Sequence, residues 1–448
     1  MTLTHSEVFE KHLGRAGLAS LFGGEWFEGG AGEITVEDPA TGRAAFVYGD
    51  GGREAAEAAL DAAEAGGAAW RRLTASARAE VLWTASRLVR EQAEALAELE
   101  AVGAGKPIRD TRVEVARVAD MLAYYAGFAD KLTGDVVPVP TSHLNIVTRE
   151  PLGTIVQLTP WNAPVFTAGW QIAPALAAGN AVVLKPSELT PASSLALARI
   201  VHEAGVPPGA LNVVAGLGAT TGERLVSDAR VGKVVFIGSV ATGRRVAAAA
   251  AAAGRPALLE LGGKSANIVF ADGDLARAAK AAQAAIFAAA GQSCTAGSRL
   301  LVERPAYDKL VAWVAEGAGR LAVGRPLDPA TEVGPINNRR QFERVTGLIE
   351  AGRAEGARLV TGGGRPARDD CAEGFYVAPT VFADVADTMT IAREEIFGPV
   401  LTILPFDDEA EAMAIANGGE FDLAGAVWTR DVTRAHRVAR GLRAGTVW

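Results

Sequence analysis

The sequence predicts an α/β protein in which a doubly wound, mostly parallel sheet is followed by a second α/β unit. Two alternating patterns lead to this prediction. From Pro151 onward, short apolar and β-branched segments such as PLGTIVQLTP, NAVVLKP and KVVFIGS alternate with segments of helical spacing. After about Ala271 a second alternation runs through RLLVE and EEIFGPVLTILPF. Strands that alternate with helices favour parallel sheets, whose ligands lie beyond the carboxyl ends of the strands.

The first 130 residues have a different pattern. Residues 1–50 are rich in glycine and turn formers, with strand-like pieces at 33–36 and 44–48. From Gly52 apolar residues recur at three-to-four spacing, which predicts a helical layer that covers a sheet. Within this layer we expect Ser76 to cap the start of a helix.

Residues 134–150, GDVVPVPTSHLNIVTRE, combine β-branched residues, two prolines and alternating polarity. This pattern predicts an extended hairpin that projects from the body of the protein. An exposed hairpin of this kind usually pairs with another surface, often that of a second subunit.

Composition excludes several classes of partner. The chain has 448 residues, a net charge of −8 and a pI of about 5.4, so nothing electrostatic favours nucleic acid or an anionic membrane. No apolar run approaches the roughly 18 residues of a membrane span, and the first residues lack an apolar signal region. We therefore expect a soluble protein of the cytoplasm.

The two cysteines are interpreted differently. Cys371 follows two aspartates in a polar stretch, which predicts a solvated loop. Cys294 lies in FAAAGQSCTAGSR, where Gly291 ends an alanine-rich run and only small residues surround the thiol. A substrate carbonyl could approach a thiol at such a turn, provided that its pKa and exposure allow attack. Taken alone, such a residue is more often an inert, buried cysteine, and only the rest of the chain favours the reactive interpretation. The five histidines lack metal-ligand spacing, so no metal site is predicted.

Two glycine-rich segments do not indicate a nucleotide site by themselves. GLGATTG at 216–222 is one residue too long for the usual dinucleotide fingerprint. GGKS at 262–265 lacks the earlier glycine of a phosphate-binding loop, because Leu258 stands at that position.

Six segments together resemble the aldehyde dehydrogenase superfamily: TPWNAP, KPSE, FIGSVATG, LELGGK, GQSC and EEIFGPV occur in that family's order and at its usual spacing. The resemblance runs from about residue 20 to the last residue. It implies a Rossmann-like NAD-binding domain (1–130 and 151–260), an oligomerisation hairpin (131–150) and a catalytic α/β domain (261–440). Residues 441–448 are expected to begin a C-terminal segment that is truncated here; in the family it closes the substrate tunnel and adds a strand across the subunit interface.

The resemblance also assigns the catalytic residues. The thiolate of Cys294 would add to an aldehyde, and hydride would leave the resulting thiohemiacetal for the nicotinamide ring. The side-chain amide of Asn162 and the backbone N–H of Cys294 would stabilise the oxyanion. Glu260 would activate the water that hydrolyses the thioester, a base role that suits a carboxylate in an apolar segment. The less favoured alternatives are that Asn162 is a turn former and that Glu260 is a buried partner of a cation such as Lys264.

The NAD site follows from the same resemblance. Lys185 and Glu188 are expected to hold the adenosine ribose, and Gly238 and Ser239 open a helix whose free N–H groups face the pyrophosphate. Glu395 would bind the nicotinamide ribose, although alone it would be interpreted as a solvated charge. The ring of Phe397 would pack beside it. The other predicted cofactor-binding residues are Thr159, Pro160, Trp161, Gly218, Gly222 and Gln341.

These assignments predict an NAD-dependent aldehyde dehydrogenase of the hydrolytic type, which acts on a small-molecule aldehyde as a homodimer or homotetramer. The presence of Glu260 separates it from relatives that pass the acyl group to coenzyme A and do not need this residue. The alternative is a structural or binding protein on the same fold, as lens crystallins illustrate for the family.

The residues next to the thiol suggest a substrate class. Many relatives have a bulky aromatic residue after the catalytic asparagine, but this chain has Ala163. Thr167 is also small, while Trp170 remains as an aromatic wall. No lysine or arginine occurs in TPWNAPVFTAGWQ or GQSCTAG to anchor a carboxylate. We therefore expect bulky, uncharged or aromatic aldehydes to be preferred over acetaldehyde and succinate semialdehyde.

Overall fold

The structure is a computed structural model that describes residues 5–13 and 18–448. Within them the strands are β1 Ser20–Phe22, β2 Glu25–Phe27, β3 Glu33–Glu37, β4 Ala44–Gly49, β5 Asp135–Val137, β6 Asn145–Val147, β7 Thr154–Leu158, β8 Ala181–Lys185, β9 Leu211–Val213, β10 Val231–Ile237, β11 Ala257–Glu260, β12 Ala266–Val269, β13 Arg299–Glu303, β14 Arg358–Thr361, β15 Thr380–Ala383, β16 Val400–Phe406, β17 Ala424–Trp428 and β18 Thr446–Val447. The helices are α1 His5–Leu13, α2 Gly52–Arg72, α3 Ala75–Glu91, α4 Ala93–Ala104, α5 Ile108–Ala126, α6 Pro164–Ala177, α7 Ala192–Glu203, α8 Glu223–Val226, α9 Val240–Ala252, α10 Leu275–Phe287, α11 Tyr307–Arg320, α12 Arg339–Ala354, α13 Thr390–Arg393, α14 Glu409–Asn417 and α15 Val432–Gly441.

The first of two seven-stranded sheets has the strand order β11-β10-β7-β8-β9-β1-β2. Strands β7 to β11 are parallel, and β1 and β2 form an antiparallel edge. Successive strands after β7 first extend to one side, as β8 and β9, and then to the other, as β10 and β11. The order therefore reverses beside β7, and such a switch point is where open α/β sheets bind their ligands.

Both faces of this sheet are covered by helices. Along β8, Val182 and Leu184 pack with buried residues of α3 to α7, while Ala181 and Val183 pack with those of α2, α8 and α9. This alternation follows from the two-residue period of a strand, which sends neighbouring side chains to opposite faces. The predicted doubly wound α/β sheet is confirmed.

The second sheet has the order β14-β15-β16-β13-β12-β17-β18 and is parallel apart from β14. Its core includes Ile268, Leu300 and Ile403 on three adjacent strands. Every strand up to β11 lies outside this sheet, so the chain changes from one sheet to the other between Glu260 and Ala266.

Two antiparallel hairpins lie outside the sheets. β3 and β4 pair with each other where the sequence predicted strands. β5 and β6 form the predicted projecting hairpin, and every residue of both strands is exposed.

Two local predictions were wrong. Thr74, not Ser76, caps α3: its hydroxyl accepts a hydrogen bond from the backbone N–H of Ala77. Cys371 is fully buried rather than solvated, with its Sγ 3.8 Å from the carbonyl oxygen of Val323. In the described part of the chain, no helix combines the length and the apolar character needed to cross a membrane.

Candidate active site

The carboxyl edge of the first sheet brings four predicted segments together. Residues 159–161 follow β7, Lys185 ends β8, Ser239 follows β10 and Glu260 ends β11. The backbone N–H of Thr159 donates to the carbonyl oxygen of Lys185, 3.1 Å away. At the other side of the edge, the N–H of Gly238 donates to the carbonyl oxygen of Glu260, at 3.0 Å. Each bond joins two neighbouring strand ends, β7 with β8 on one side and β10 with β11 on the other.

Asn162 connects this edge to the cysteine segment. It lies at the turn between β7 and α6, and its Nδ2 donates a hydrogen bond of 2.8 Å to the carbonyl oxygen of Gln292. A side-chain amide carries two N–H donors, so one remains available in this geometry. The bond holds the Asn162 amide against Gln292, which lies two residues before Cys294 in the sequence.

The backbone that leads to the thiol is strained. Ala289 and Ala290 have φ values of 49° and 54°, and Gly291 continues the left-handed run at 70°. Left-handed backbone costs an ordinary residue roughly 1–2 kcal/mol, so the surrounding contacts must enforce it. The buried side chain of Gln292 contributes, because its Nε2 donates to the carbonyl oxygen of Ala289.

Close backbone packing fixes the same segment. A Cβ on Gly291 would lie 2.0 Å from the carbonyl oxygen of Gly398, and one on Gly263 would lie 2.3 Å from that of Cys294. Glycines of LELGGK and EEIFGPV therefore touch the backbone of the GQSC segment. With Asn162 of TPWNAP, four of the six segments singled out in the sequence meet at the segment that carries the thiol.

The thiol of Cys294 is partly buried and faces negative charge. Burial raises its pKa most, the carboxylates of Glu395 and Glu260 raise it further, and hydrogen bonds from the backbone of Cys294 and Thr295 oppose the rise. The thiol is consequently protonated at neutral pH, and a neighbouring base must accept its proton before it can attack as a thiolate. Glu395 and Glu260 act on the charge of the thiol and are the candidate bases.

The segment of Glu395 and Phe397 is held from two sides. The Glu395 carboxylate accepts a hydrogen bond of 3.0 Å from the N–H of Gly263, and burial raises its pKa. Phe397 has a left-handed φ of 56°, and its ring packs edge-on against Trp161 at 5.3 Å. The Nε2 of Gln341 donates to the carbonyl oxygens of Ile396 and Phe397. Gln341 therefore supports this segment through its backbone.

A lysine and a glutamate lie close together at the carboxyl end of β8. Lys185 is buried, with its Nζ 2.8 Å from the Pro186 carbonyl oxygen and 3.7 Å from the Glu188 carboxylate. Burial lowers the pKa of Lys185, against the charges of Glu188 and Asp50. The Glu188 backbone is fixed by the Tyr48 hydroxyl, which donates to its carbonyl oxygen at 2.9 Å.

A π-type turn from Gly218 to Gly222 lies beside Lys185. A Cβ on Gly218 would meet no atom within 4 Å, whereas one on Gly222 would contact the Lys185 side chain at 3.4 Å. The turn is held by Asp50, whose carboxylate accepts hydrogen bonds from both Thr220 and Thr221.

These residues fit a dinucleotide. The buried Oγ1 of Thr159 has no partner within the described chain and is available to a ligand. Ser239 caps α9 through Thr242, and the remaining N–H groups of the first turn form the anion-binding end of the helix. Gly238 was also predicted to offer a free N–H to the pyrophosphate. Its N–H instead donates a hydrogen bond to the carbonyl oxygen of Glu260.

Glu260 also borders a groove of about 380 Å³. Trp170 and Leu258, both exposed, line it together with the buried Gln157 and Gln171. The Oε1 of Gln157 and both amide heteroatoms of Gln171 lack partners within the described chain. A groove of this size with several free polar atoms can hold water.

Sequence reasoning missed Gln292, Asp50 and Asn337. Gln292 belongs to the GQSC segment, so the sequence already marked this segment as part of the site. Asp50 and Asn337 form hydrogen bonds with residues far away in the sequence, and no local pattern marks them. Among the described residues, no cluster of potential metal ligands occurs.

The fold and the candidate site together define a class: a two-sheet α/β protein with candidate dinucleotide-binding residues at one sheet edge and a thiol supplied by the second unit. A profile of the aldehyde dehydrogenase family matches residues 26–448. The chain belongs to the aldehyde dehydrogenase family, and the resemblance seen in the sequence is confirmed.

Named relatives narrow the comparison. The chain is 47% identical over 416 residues to a betaine aldehyde dehydrogenase of Cereibacter sphaeroides, covering 93% of this chain and 85% of that protein. The betaine aldehyde dehydrogenase of Staphylococcus aureus, solved with NAD+, is 34% identical with a TM-score of 0.94 over 98% of this chain and 88% of that one. PnpE of Pseudomonas sp. WBC-3, also solved with NAD, is 38% identical with a TM-score of 0.94 over 96% and 88%.

Proposed function

We propose that this protein oxidises an aldehyde to the carboxylic acid with NAD, through a covalent intermediate on Cys294. The observation that carries the proposal is the meeting of the thiol with the Asn162 amide and the carboxylates of Glu260 and Glu395. A nucleophile, a base and an oxyanion donor at one point are the elements of acyl-transfer chemistry.

NAD is proposed as the cofactor because the groove fits it and two structural relatives were solved with it. Lys185, Glu188, Thr159 and Ser239 would hold it, together with the segment of Glu395 and Phe397. The bound cofactor supplies the acceptor for hydride.

In the first half-reaction a carboxylate takes the Cys294 proton and the sulfur attacks the carbonyl carbon. A carbon–sulfur bond forms, and the π electrons of the carbonyl move to its oxygen. The second N–H of the Asn162 amide and the backbone N–H of Cys294 would donate to that oxyanion. Removing one such donor typically costs roughly a hundredfold to a thousandfold in rate. Loss of hydride from the carbon then leaves a thioester on the enzyme.

In the second half-reaction Glu260 acts as general base. It borders the groove beside Trp170 and its charge acts on the thiol, so we propose that it draws a water molecule from that groove. The activated water adds to the thioester carbon, and the thiolate leaves as the acid forms. General-base assistance of this kind is worth roughly 10²–10⁴ in rate.

For the substrate we propose a bulky, uncharged or aromatic aldehyde. Ala163 ends the turn beside Asn162, and Phe166 and Trp170 follow on the same side of α6 with their rings 6.1 Å apart. The Thr167 hydroxyl is already bonded to the Ala163 carbonyl oxygen, so it offers no free polar anchor.

One observation favours a second candidate, betaine aldehyde. Several relatives are named for it, and the Phe166–Trp170 pair could receive a quaternary ammonium group by cation–π contact. Trp170→Ala should then lower kcat/KM for betaine aldehyde at least tenfold, yet affect an uncharged aldehyde of equal size far less. Equal losses would favour the uncharged class.

The decisive experiment is NADH formation on mixing enzyme with NAD and a panel of aldehydes. A burst of NADH followed by steady turnover is expected with at least one aldehyde, since the thioester forms before it is hydrolysed. Binding of NAD without reduction, for every aldehyde, would favour a structural or binding role on this fold.

We also propose self-association through the hairpin β5–β6, as a homodimer or homotetramer. Val136 and Ile146 are 71% and 56% exposed, an unusual amount of apolar surface for two paired strands. Ile146→Lys should shift the mass measured by light scattering toward the monomer. A location in the cytoplasm stays a prediction.

A further inference from the structure

The loop that carries Asn162 is anchored by a buried carboxylate on a helix that has no part in the site described above. Glu100 lies on α4 and is completely buried. Its Oε2 accepts hydrogen bonds from the backbone N–H of Val165, at 3.1 Å, and from the hydroxyl of Ser193, at 2.7 Å. Its Oε1 accepts one of 2.9 Å from the Nζ of Lys106. Both oxygens are thus occupied by donors from three different segments.

The contact with Val165 replaces a missing helix cap. Val165 is the second residue of α6, and the residue before that helix is Ala163, which has no side-chain acceptor. Helices usually satisfy their first N–H groups with a capping side chain from their own sequence. Here the acceptor arrives from α4, and its negative charge suits the positive end of the helix dipole. Asn162 stands just before this capped turn, so Glu100 fixes where the loop of Asn162 leaves the helix.

The same turn of α4 also reaches the cysteine segment. The carbonyl oxygen of Gly103 accepts a hydrogen bond of 2.9 Å from the side chain of Asn337. The backbone N–H of Asn337 donates to the Oε1 of Gln292, again at 2.9 Å. The carbonyl oxygen of Gln292 in turn receives the amide of Asn162. The hydrogen bonds therefore close a ring that runs from α4 through α6 and the cysteine segment and back to α4.

Lys106 keeps the ring charged. It is 2% exposed and also contacts the carboxylate of Glu114. Burial disfavours its charge, but Glu100 and Glu114 together raise its pKa, so the ammonium persists. The carboxylate of Glu100 accepts hydrogen bonds from this ammonium and from the two other donors at once.

We propose that Glu100, paired with Lys106, is a positioning residue that holds the Asn162 amide against the cysteine segment and so sets the rate of addition to the aldehyde. This inference rests on the proposed function. Glu100 touches neither substrate nor cofactor, and it acts only through the loop of Asn162.

The test is a double-mutant cycle between Glu100→Gln and Asn162→Ala. A glutamine has the size of the native residue, but its single acceptor oxygen cannot serve donors on both sides, and its NH2 group must face one of them. A misplacement of about 1 Å can cost about a hundredfold in rate. In the otherwise native protein we therefore expect Glu100→Gln to lower the rate of the NADH burst by about tenfold to a hundredfold, with the Kd for NAD unchanged. In the Asn162→Ala background the same change should lower it less than about twofold, because the group that Glu100 positions is absent.

Two further variants separate positioning from loss of stability. Thr111→Val removes a buried hydroxyl that donates to the carbonyl oxygens of Ala97 in α4 and Ile108 in α5, and it breaks no hydrogen bond to α6. It should lower Tm while the burst rate stays within twofold. Ser193→Ala removes one donor to Glu100 and keeps the ion pair, so it provides the test if Glu100→Gln does not fold. It should slow the burst a few-fold in the native background and not in Asn162→Ala.

The outcomes distinguish this inference from the proposed function. An equal loss from Glu100→Gln in both backgrounds, or no loss in the native one, would overturn positioning through Asn162. If instead the native protein shows no burst with any aldehyde, the proposed function fails first. A normal burst that is reduced by Asn162→Ala and unaffected by Glu100→Gln would overturn this inference alone.

Discussion

The Asn162 side chain donates to the Gln292 carbonyl oxygen across the boundary between the two sheets, at 2.8 Å. This bond joins an oxyanion donor from the first sheet to the backbone that carries Cys294. The geometry of the proposed active site therefore depends on contacts between the two sheets.

Cys294→Ala should abolish aldehyde oxidation, by more than about a thousandfold in kcat/KM, because no other group can form the covalent intermediate. The Kd for NAD, measured by calorimetry, should change less than twofold. The matched control is Cys371→Ala, which removes a buried thiol in the second unit. If the Cys371 variant loses activity and the Cys294 variant keeps it, the nucleophile has been misassigned.

Glu260→Gln should separate the two half-reactions. Hydride transfer precedes hydrolysis, so rapid mixing should still show a burst of NADH close to one per site. Steady turnover should then fall by roughly 10²–10⁴, the usual value of general-base assistance. Disappearance of the burst itself would mean that Glu260 is needed to deprotonate Cys294 and not only to activate water.

Glu395→Gln should make the thiol more acidic. The pKa of Cys294 is raised by burial and by the Glu395 carboxylate, so removing that charge lowers it toward the ordinary value. At a fixed pH below the pKa, iodoacetamide should then alkylate Cys294 faster, about tenfold for each unit of change. Glu394→Gln is the control, since the neighbouring Glu394 is exposed and paired with Arg344. Similar rates in all three proteins would contradict the assigned cause.

Glu188 should favour NAD over NADP. Its carboxylate can accept hydrogen bonds from the ribose hydroxyls but repels a 2′-phosphate, by about 4 kcal/mol per unit charge at 4 Å and an effective dielectric constant of 20 before screening. We expect a clear preference for NAD in kcat/KM, and Glu188→Gln should narrow it. Glu203→Gln, an exposed change on α7, should leave the ratio unaltered. Equal values for the two cofactors in the native protein would exclude this reasoning.

Ala163→Phe should narrow the space beside the thiol. A phenyl ring there removes room that an aromatic substrate can fill, at roughly 25 cal/mol per Å² of buried apolar surface. We expect the native protein to prefer benzaldehyde-type substrates to acetaldehyde, and the variant to reduce or reverse that ranking. An unchanged ranking of kcat/KM would show that residue 163 does not set specificity.

Local patterns in the sequence were sufficient for the sheets and for most of the site. Lys185, Ser239 and Glu260 all follow apolar segments that could be recognised as parallel strands, and the ends of such strands meet at one edge.

Contacts between distant segments could not be predicted in the same way. Glu100 and Val165 are joined by one hydrogen bond, but neither residue carries a pattern that names the other. Cys371 was misinterpreted for a related reason: its aspartate neighbours are exposed, while its own side chain turns into the core of the second sheet. Burial of a single residue in a short turn depends on tertiary packing, which local polarity does not report.

The contact between Gly291 and Gly398 limits which residues these two positions can accept during evolution. A Cβ at position 291 would lie 2.0 Å from the Gly398 carbonyl oxygen, and its left-handed φ of 70° already disfavours other residues. Neither glycine has a side chain to offer to substrate or cofactor. In a saturation scan both positions should nevertheless rank among the least tolerant in the chain, beside Cys294 itself. Substitution is therefore restricted at these two positions because the two backbones lie too close together for a side chain. A sequence that lost either glycine would need both backbone segments to shift in order to keep the thiol in place.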